Sequence, residues 1–259
     1  MQGLGNDYIY VDVRKHPIAD PVAFSRRWSD RRTGIGSDGL ILIGGSERAD
    51  FSMRIFNADG SEGKMCGNGA RCVGKYLHDK GLTDKTVITL DTLSGVKTLE
   101  LNLDGDGSVR AVTVGMGKGM PRRISLPQGG EGVAVDVGNP HLVLFVSEDP
   151  DDHFLTETGG ALEKDPLFPD GVNVEFVRIL DEGHLRMRVW ERGSGITAAC
   201  GTGACASVIA AAQEGKVRPE GCFVHMDGGT LTVSWDPVTQ LVTMTGPAET
   251  VFEGTIEND

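Results

Sequence analysis

The stretches CGNGA (residues 66–70) and CGTGA (residues 200–204) decide how this chain is organised. Each follows an apolar segment, MRIF (53–56) in the first case and MRVW (187–190) in the second, and both pairs are offset by 134 residues (200 − 66 and 187 − 53). That offset is about half of the 259-residue chain. A repeated strand, loop and glycine-rich helix start predicts two related halves, each presenting one thiol.

Composition narrows the class of protein. A net charge of −12 and a pI near 4.9 argue against binding to nucleic acid or to a membrane surface, because both need basic clusters. No segment approaches the roughly 18–20 apolar residues of a spanning helix, and no signal-peptide pattern is visible. The five cysteines include no Cys-x-x-Cys pair. We therefore expect a cytoplasmic protein with reduced thiols and no disulfide framework.

Short apolar runs between turn signals predict many strands, and three segments predict helices at 22–30, 68–80 and 203–214. The last two helices begin within the repeat and end at Gly81 and Gly215, which are suited to a helix C-terminus. This pattern predicts an α+β fold with one long helix in each half. The predicted strands are 8–13, 39–43, 51–57, 87–92, 98–103, 109–114, 133–137, 141–146, 174–180, 185–190, 222–226, 230–234 and 241–244.

A domain boundary is predicted where glycines cluster at 115–119, just before Pro121. The N-terminal half then covers 1–118 and carries Cys66, and the C-terminal half covers 119–245 and carries Cys200. The tail, 246–259, contains another alternating run, which is compatible with its returning to pair with the first half.

A cysteine at the start of a helix differs chemically from an ordinary buried thiol. Unpaired backbone N–H groups and the positive end of the helix dipole stabilise its thiolate. The adjacent glycines let the same N–H groups approach a carboxylate. Two such helices suggest a site where one thiolate removes an α-proton and the other thiol returns a proton to the opposite face, without a cofactor. A lone cysteine in this setting is more often structural, as we expect for Cys72, Cys205 and Cys222.

Other chemistries fit the motif less well. A zinc site would need ligand spacings that the chain lacks, so no metal site is predicted. The Gly-x-Gly pieces match neither the dinucleotide-binding nor the P-loop pattern.

Eight sequence blocks, taken in order, resemble the diaminopimelate epimerase family. They span the chain from its first residues to about position 206, which makes the resemblance specific. The blocks are GLGND (3–7), DRRTGIG (30–36), FNADGSE (56–62), CGNGARC (66–72), GNPH (138–141), GVNV (171–174), ERG (191–193) and ACGTGACA (199–206).

The resemblance implies two pseudo-symmetric halves, each a strongly curved, mainly antiparallel sheet around a central helix. It also implies a homodimer and a cofactor-independent epimerisation of LL- to meso-diaminopimelate, in lysine and peptidoglycan precursor synthesis. Cys66 and Cys200 match the catalytic cysteines, and His141 and Glu191 match a polar pair that sets proton placement on the sulfurs. The positions that match substrate-binding residues are Asn6, Asn57, Gly67, Asn68, Asn139, Asn173, Arg192, Gly201 and Thr202.

Among these, Arg192 suits a distal carboxylate through its planar fork of donors. The backbone N–H groups of 67–68 and 201–202 suit the reacting carboxylate. By contrast, Arg31, Arg32, Arg122 and Arg123 are expected to be solvent-facing.

One departure from the family pattern bears on the substrate, which we expect to be an amino acid bound as a small molecule. Many family members carry Glu-Thr where this chain has Ile196-Thr197, and an apolar residue there could alter substrate fit. A racemase of histidine, proline or hydroxyproline is therefore an alternative. From other classes, a thiol-redox protein and a non-catalytic ligand-binding protein are also compatible with a pair of thiols.

Overall fold

A computed structural model describes residues 1–126 and 129–256 of the chain. The chain divides into two compact units, one formed by Met1–Val114 with Gly246–Asp259 and the other by Gly115–Thr245. The division lies four residues before the expected boundary at 118/119 (118 − 114). Among the described residues, no helix has both the length and the apolar character that crossing a membrane demands.

The first unit consists mostly of strands, with two helices. Its main sheet has the strand order β9-β8-β7-β5-β4-β3, β6 pairs with β5, and β1 and β2 form a separate two-stranded sheet. The strands are β1 Gln2–Gly3, β2 Asn6–Asp7, β3 Ile9–Asp12, β4 Gly39–Gly44, β5 Phe51–Asn57, β6 Glu62–Gly63, β7 Val87–Thr92, β8 Gly95–Leu103 and β9 Val109–Lys118. The helices are α1 Pro21–Trp28 and α2 Gly67–Asp79.

The second unit follows the same plan with two additional strands at one edge. Its sheet order is β10-β11-β12-β13-β14-β16-β17-β18, and β15 pairs with β14. The strands are β10 Met120–Ser125, β11 Glu131–Asp136, β12 Pro140–Phe145, β13 Asn173–Asp181, β14 His184–Glu191, β15 Gly195–Ile196, β16 Cys222–Met226, β17 Gly229–Trp235 and β18 Leu241–Gly246. The helices are α3 Asp152–Phe154, the π-helical π1 Leu155–Gly159, α4 Gly160–Glu163 and α5 Gly201–Gln213.

The two units repeat the same series of strand pairings. In the first unit, β3–β4 and β5–β7 are parallel pairs, and β4–β5, β7–β8 and β8–β9 are antiparallel pairs. In the second unit, β12–β13 and β14–β16 are parallel, and β13–β14, β16–β17 and β17–β18 are antiparallel, in the same order. The register also repeats, because Ile41 lies opposite Ile55 and Glu175 lies opposite Val189, each pair 134 residues from its counterpart. The internal repeat therefore extends far beyond the two cysteine motifs.

The long helix of each unit is buried on nearly all sides at its N-terminal end. Gly67 to Gly74 are all buried in α2, and Gly203 to Ala211 are all buried in α5. Continuous burial over more than two turns means that the sheet surrounds this part of the helix rather than contacting one stripe of it. The α+β class expected from the sequence is confirmed, with a central helix in each unit.

Several elements differ from the expectation. The edge strand β10 was not predicted, because Pro121 and the exposed residues Arg122 and Arg123 hide its pattern. The helical segment from Asp152 to Glu163 was also missed, since Gly159 and Gly160 interrupt its pattern. Beyond Gly246, the last residue of β18, the tail forms a single antiparallel bridge, Gln2 with Glu249, and no strand in its described residues.

Candidate active site

Cys66 is the N-cap residue of α2. Its backbone is extended (φ −134°, ψ 119°), and its Sγ accepts a hydrogen bond of 3.3 Å from the N–H of Gly69. Glycine is needed at position 69 for this close packing of the helix start, because a side chain there would lie 2.5 Å from Ile41 Cδ1. The thiol therefore lies at the positive end of a 13-residue helix, where backbone N–H groups stabilise negative charge on sulfur.

Asn6 contacts the Cys66 sulfur, and Asp38 orients the Asn6 side chain. The Cys66 Sγ lies 3.4 Å from Asn6 Oδ1, and Asn6 Nδ2 donates to Asp38 Oδ2 at 2.7 Å. A carboxylate only accepts hydrogen bonds, so this contact turns the amide nitrogen of Asn6 towards Asp38 and its oxygen towards the sulfur. Arg31 binds both Asp7 and Asp38, which keeps these carboxylates in place. Although Arg31 is exposed, as expected, its guanidinium thus supports the site.

A buried cation follows Cys66 in the same helix. Arg71 is fully buried, and its Nε donates to the carbonyl oxygen of Pro247 at 3.0 Å. Burial raises the pKa of the Cys66 thiol, whereas the N–H of Gly69 and the positive charge of Arg71 both act to lower it. Burial is the larger effect, so the pKa of Cys66 stays above its usual value, and Gly69 and Arg71 limit the rise.

Cys200 repeats the N-cap arrangement at α5. Its backbone angles are φ −128° and ψ 110°, and its Sγ accepts from the N–H of Gly203 at 3.3 Å. Its surroundings differ, because burial and then the carboxylates of Glu191 and Glu175 raise the pKa of this thiol well above its usual value. The hydroxyl of Thr202 lies 3.6 Å from the sulfur and acts in the opposite direction, as does the N–H of Gly203.

Glu191 is a partly buried carboxylate at the end of β14. The hydroxyl of Thr197 donates to Glu191 Oε1. Burial raises the pKa of the Glu191 carboxyl, while hydrogen bonds from Thr197 and Cys200 lower it. The Glu191 carboxylate and the Cys200 thiol therefore influence each other's pKa.

His141 binds a carboxylate that sequence reasoning did not select. Its Nδ1 lies 2.6 Å from Glu175 Oε1, and both side chains are fully buried. Its Nε2 lies 3.0 Å from Asn139 Oδ1, and Asn139 Nδ2 lies 3.3 Å from the hydroxyl of Thr202. His141 therefore belongs to a row of side chains that runs from Glu175 through His141 and Asn139 to Thr202.

The expected substrate-binding residues Asn173 and Arg192 are joined to each other. Asn173 is buried, its Oδ1 accepts from the N–H of Arg192 at 3.0 Å, and its Nδ2 donates to the carbonyl of Pro140 at 2.9 Å. The Arg192 side chain is exposed and donates through Nη1 to the carbonyl of Asp170 at 2.7 Å. Asn173 therefore braces β12 against the end of β14, and Arg192 keeps further donors for an anion.

The remaining expected substrate-binding residues lie at the starts of the two long helices, except Asn57, which lies at the exposed end of β5. Gly67 and Asn68 form the first turn of α2, and Gly201 and Thr202 form the first turn of α5. Asn68 is buried, and its Oδ1 has no hydrogen-bond partner within the described parts of the chain. Asn57 is exposed and donates to Ser61 Oγ at 2.9 Å, so its amide is engaged within its own turn.

Cys72, Cys205 and Cys222 are fully buried, and all five cysteines are free thiols.

Sequence reasoning missed Asp38, Arg71, Glu175 and Thr197. Glu175 left a readable signal, because it is the one acidic residue within VNVEFV (172–177), a run otherwise typical of a buried strand. Asp38 left none, since its role depends on a contact with Asn6, 32 residues away.

Comparisons with known proteins place the chain in a family. The model of the family described as Diaminopimelate epimerase matches residues 1–120 and 133–251. The diaminopimelate epimerases of Bacteroides thetaiotaomicron and Phocaeicola vulgatus are 55% and 54% identical to this chain, and each alignment covers 99% of it and 96% of the relative. A Bacillus anthracis phenazine biosynthesis protein of the PhzF family has a similar fold (TM-score 0.70, 17% identity, 95% of this chain and 91% of that one). The chain belongs to the diaminopimelate epimerase family.

Proposed function

We propose that this protein is a diaminopimelate epimerase, an isomerase that interconverts LL- and meso-diaminopimelate through the thiols of Cys66 and Cys200. One observation carries the proposal: both cysteines are N-caps of long helices, each with its Sγ 3.3 Å from a backbone N–H. Helix ends of this kind stabilise thiolates. Family membership supports the choice of substrate.

In this mechanism one thiolate removes the α-proton and the other thiol delivers a proton to the opposite face of the α-carbon. No cofactor is needed, because charge that develops on the substrate carboxylate is stabilised by N–H groups of the first helical turns, 67–68 and 201–202. The buried Oδ1 of Asn68 suits a donor such as the substrate ammonium. Arg192, with free donors on an exposed guanidinium, suits the distal carboxylate.

The wider setting follows from the same proposal. The product serves lysine and peptidoglycan precursor synthesis, and the enzyme works in the cytoplasm as a homodimer.

Proton exchange tests the two-thiol chemistry. In D₂O, LL-diaminopimelate should gain deuterium at the inverted α-carbon as meso product appears. Cys66→Ser and Cys200→Ser should each lower the epimerisation rate by at least about 10³-fold, since an alcohol is a far weaker acid than a thiol. Cys222→Ser is the matched control, because Cys222 is a buried cysteine outside both helix ends. Full activity in either of the first two variants would refute the mechanism.

A substrate panel distinguishes the alternatives. Diaminopimelate should be epimerised, whereas histidine, proline and hydroxyproline should not, because a residue such as Arg192 favours a second carboxylate. Racemisation of one of these amino acids instead would identify a different racemase. A reversible disulfide without any isomerase activity would favour a redox protein, and tight binding without exchange would favour a binding protein.

A further inference from the structure

Glu175 is a buried carboxylate to which neither the family blocks nor the proposed chemistry gives a role. Its side chain is fully buried in β13, and Oε1 contacts His141 Nδ1 at 2.6 Å. Its Oε2 has no hydrogen-bond partner among residues 1–126 and 129–256. An ionised carboxylate in such a site requires a counter-charge, and His141 is the group placed to supply it.

The internal repeat shows that this carboxylate is specific to one unit. The residue 134 positions earlier is Ile41, and the two occupy matching places in register. A side chain at Gly69 would lie 2.5 Å from Ile41 Cδ1, and a side chain at Gly203 would lie 2.7 Å from Glu175 Oε1. The same position beneath the helix start is therefore apolar in the first unit and acidic in the second. Since an isoleucine fills it well, packing alone does not explain the acid.

The hydrogen-bond partners of His141 favour one protonation form of its ring. Nδ1 faces the carboxylate of Glu175 and Nε2 faces the amide oxygen of Asn139, so both ring nitrogens meet acceptors. This pair of acceptors suits an imidazole that donates from both nitrogens, which is the imidazolium form. The other titratable groups in this cluster are Glu191 and Cys200, and a positive charge on His141 would act to lower the pKa of the Glu191 carboxyl.

A proton on His141 Nε2 would also set the orientation of the Asn139 amide and of the Thr202 hydroxyl. Because Nε2–H occupies the oxygen of Asn139, the Asn139 amide nitrogen is directed at the hydroxyl oxygen of Thr202, 3.3 Å away. The hydroxyl then accepts from Asn139, and its own hydrogen is free to point at Cys200 Sγ, 3.6 Å away. A neutral His141 with an unprotonated Nε2 would reverse the amide, and the Thr202 hydrogen would turn to Asn139 instead.

We propose that Glu175 is a positioning residue which keeps His141 doubly protonated and thereby directs the Thr202 hydroxyl hydrogen at the Cys200 sulfur. This inference rests on the proposed function for its catalytic consequence, but the protonation of His141 is a separate property of the protein. Glu175 acts through three intervening side chains and needs no contact with substrate.

Nitrogen NMR of the histidine rings tests the first step without any assay of activity. In wild-type protein labelled with ¹⁵N-histidine, both ring nitrogens of His141 should show the imidazolium pattern at neutral pH, with His141→Gln used to assign the signal. In Glu175→Gln the pattern should become that of a neutral ring. A neutral His141 in the wild type, or an unchanged imidazolium in Glu175→Gln, would overturn the proposal. Ile41→Val, at the matching position, should leave the His141 signal unchanged.

A double-mutant cycle tests the consequence for catalysis. Glu175→Gln and Thr202→Val should each lower kcat by at least about 10-fold, as for other histidines that lose an orienting carboxylate. The kcat of the double variant should be no lower than that of the less active single variant, because both changes remove the same hydrogen bond. Losses that multiply would show that the two residues act independently and would overturn the relay. If the wild type exchanges no α-proton, the proposed function fails, whereas the NMR result still decides the state of His141.

Discussion

The sites around Cys66 and Cys200 share a scaffold but have opposite electrostatic surroundings. Both thiols are N-caps with the same backbone conformation and the same hydrogen bond to the third residue of the helix. In the first unit, however, Arg71 lies five residues after the thiol, and the repeat places Cys205 there in the second. In the second unit Glu191 lies nine residues before the thiol, and the repeat places Asn57 there in the first.

This comparison teaches that duplication supplied two equal helix ends, and substitutions around them made the thiols unequal. Burial raises the pKa of both thiols, but the cation of Arg71 opposes this rise at Cys66, whereas Glu191 and Glu175 add to it at Cys200. Cys66 is therefore expected to ionise at a lower pH than Cys200. Each of the following predictions removes one source of this difference.

The largest effect is expected from Glu191→Gln. If Glu191 sets proton placement on Cys200, as the family resemblance implies, loss of its carboxylate should lower kcat by about 10²-fold or more. It also removes a negative charge, so alkylation of Cys200 should begin at lower pH. Both can be measured by steady-state kinetics and by mass spectrometry of alkylated peptides. Glu62→Gln, which changes an exposed carboxylate paired with Arg54, should leave both unchanged; a full-rate Glu191→Gln enzyme would contradict the role assigned to Glu191.

A smaller effect is expected from Arg71→Met. Without the cation, alkylation of Cys66 should need a higher pH, and kcat/KM at neutral pH should fall roughly 10-fold, equivalent to about one pKa unit. The carbonyl of Pro247 loses its donor, so the free energy of unfolding should fall by about 1–3 kcal/mol in urea melts. Arg54→Met is the matched exposed control. A pH profile for Cys66 that stays in place while stability falls would show that Arg71 is purely structural.

The smallest effect is expected from Asp38→Asn. An amide at position 38 can donate or accept, so it no longer fixes which end of the Asn6 amide faces Cys66. We expect a loss in kcat/KM of about 5-fold, the worth of roughly one hydrogen bond. Asp104→Asn, at an exposed turn, should have no effect. If Asp38→Asn matched the wild type, Asn6 would be held by other contacts.

The cysteine motifs allowed much of this arrangement to be predicted from sequence. Helix starts at Cys66 and Cys200 follow from glycine spacing and capping chemistry, and strands such as Phe51–Asn57 and Cys222–Met226 follow from local periodicity. The sheets were expected to be mainly antiparallel, but the parallel pairs β3–β4, β5–β7, β12–β13 and β14–β16 could not be predicted, because periodicity does not distinguish parallel from antiparallel neighbours. For the same reason Glu175 went unrecognised: its meaning depends on the strand register that sets it opposite the position of Ile41, and on a contact with His141, 34 residues away.

The most direct test of unequal thiols is the pH dependence of alkylation in the wild-type protein. Iodoacetamide labelling, quantified peptide by peptide, gives the midpoint of each titration, which is independent of how accessible each sulfur is. The fully buried Cys72, Cys205 and Cys222 provide the background. The account predicts that Cys66 reaches half-maximal reactivity at a clearly lower pH than Cys200. Coincident midpoints, or a lower midpoint for Cys200, would contradict it.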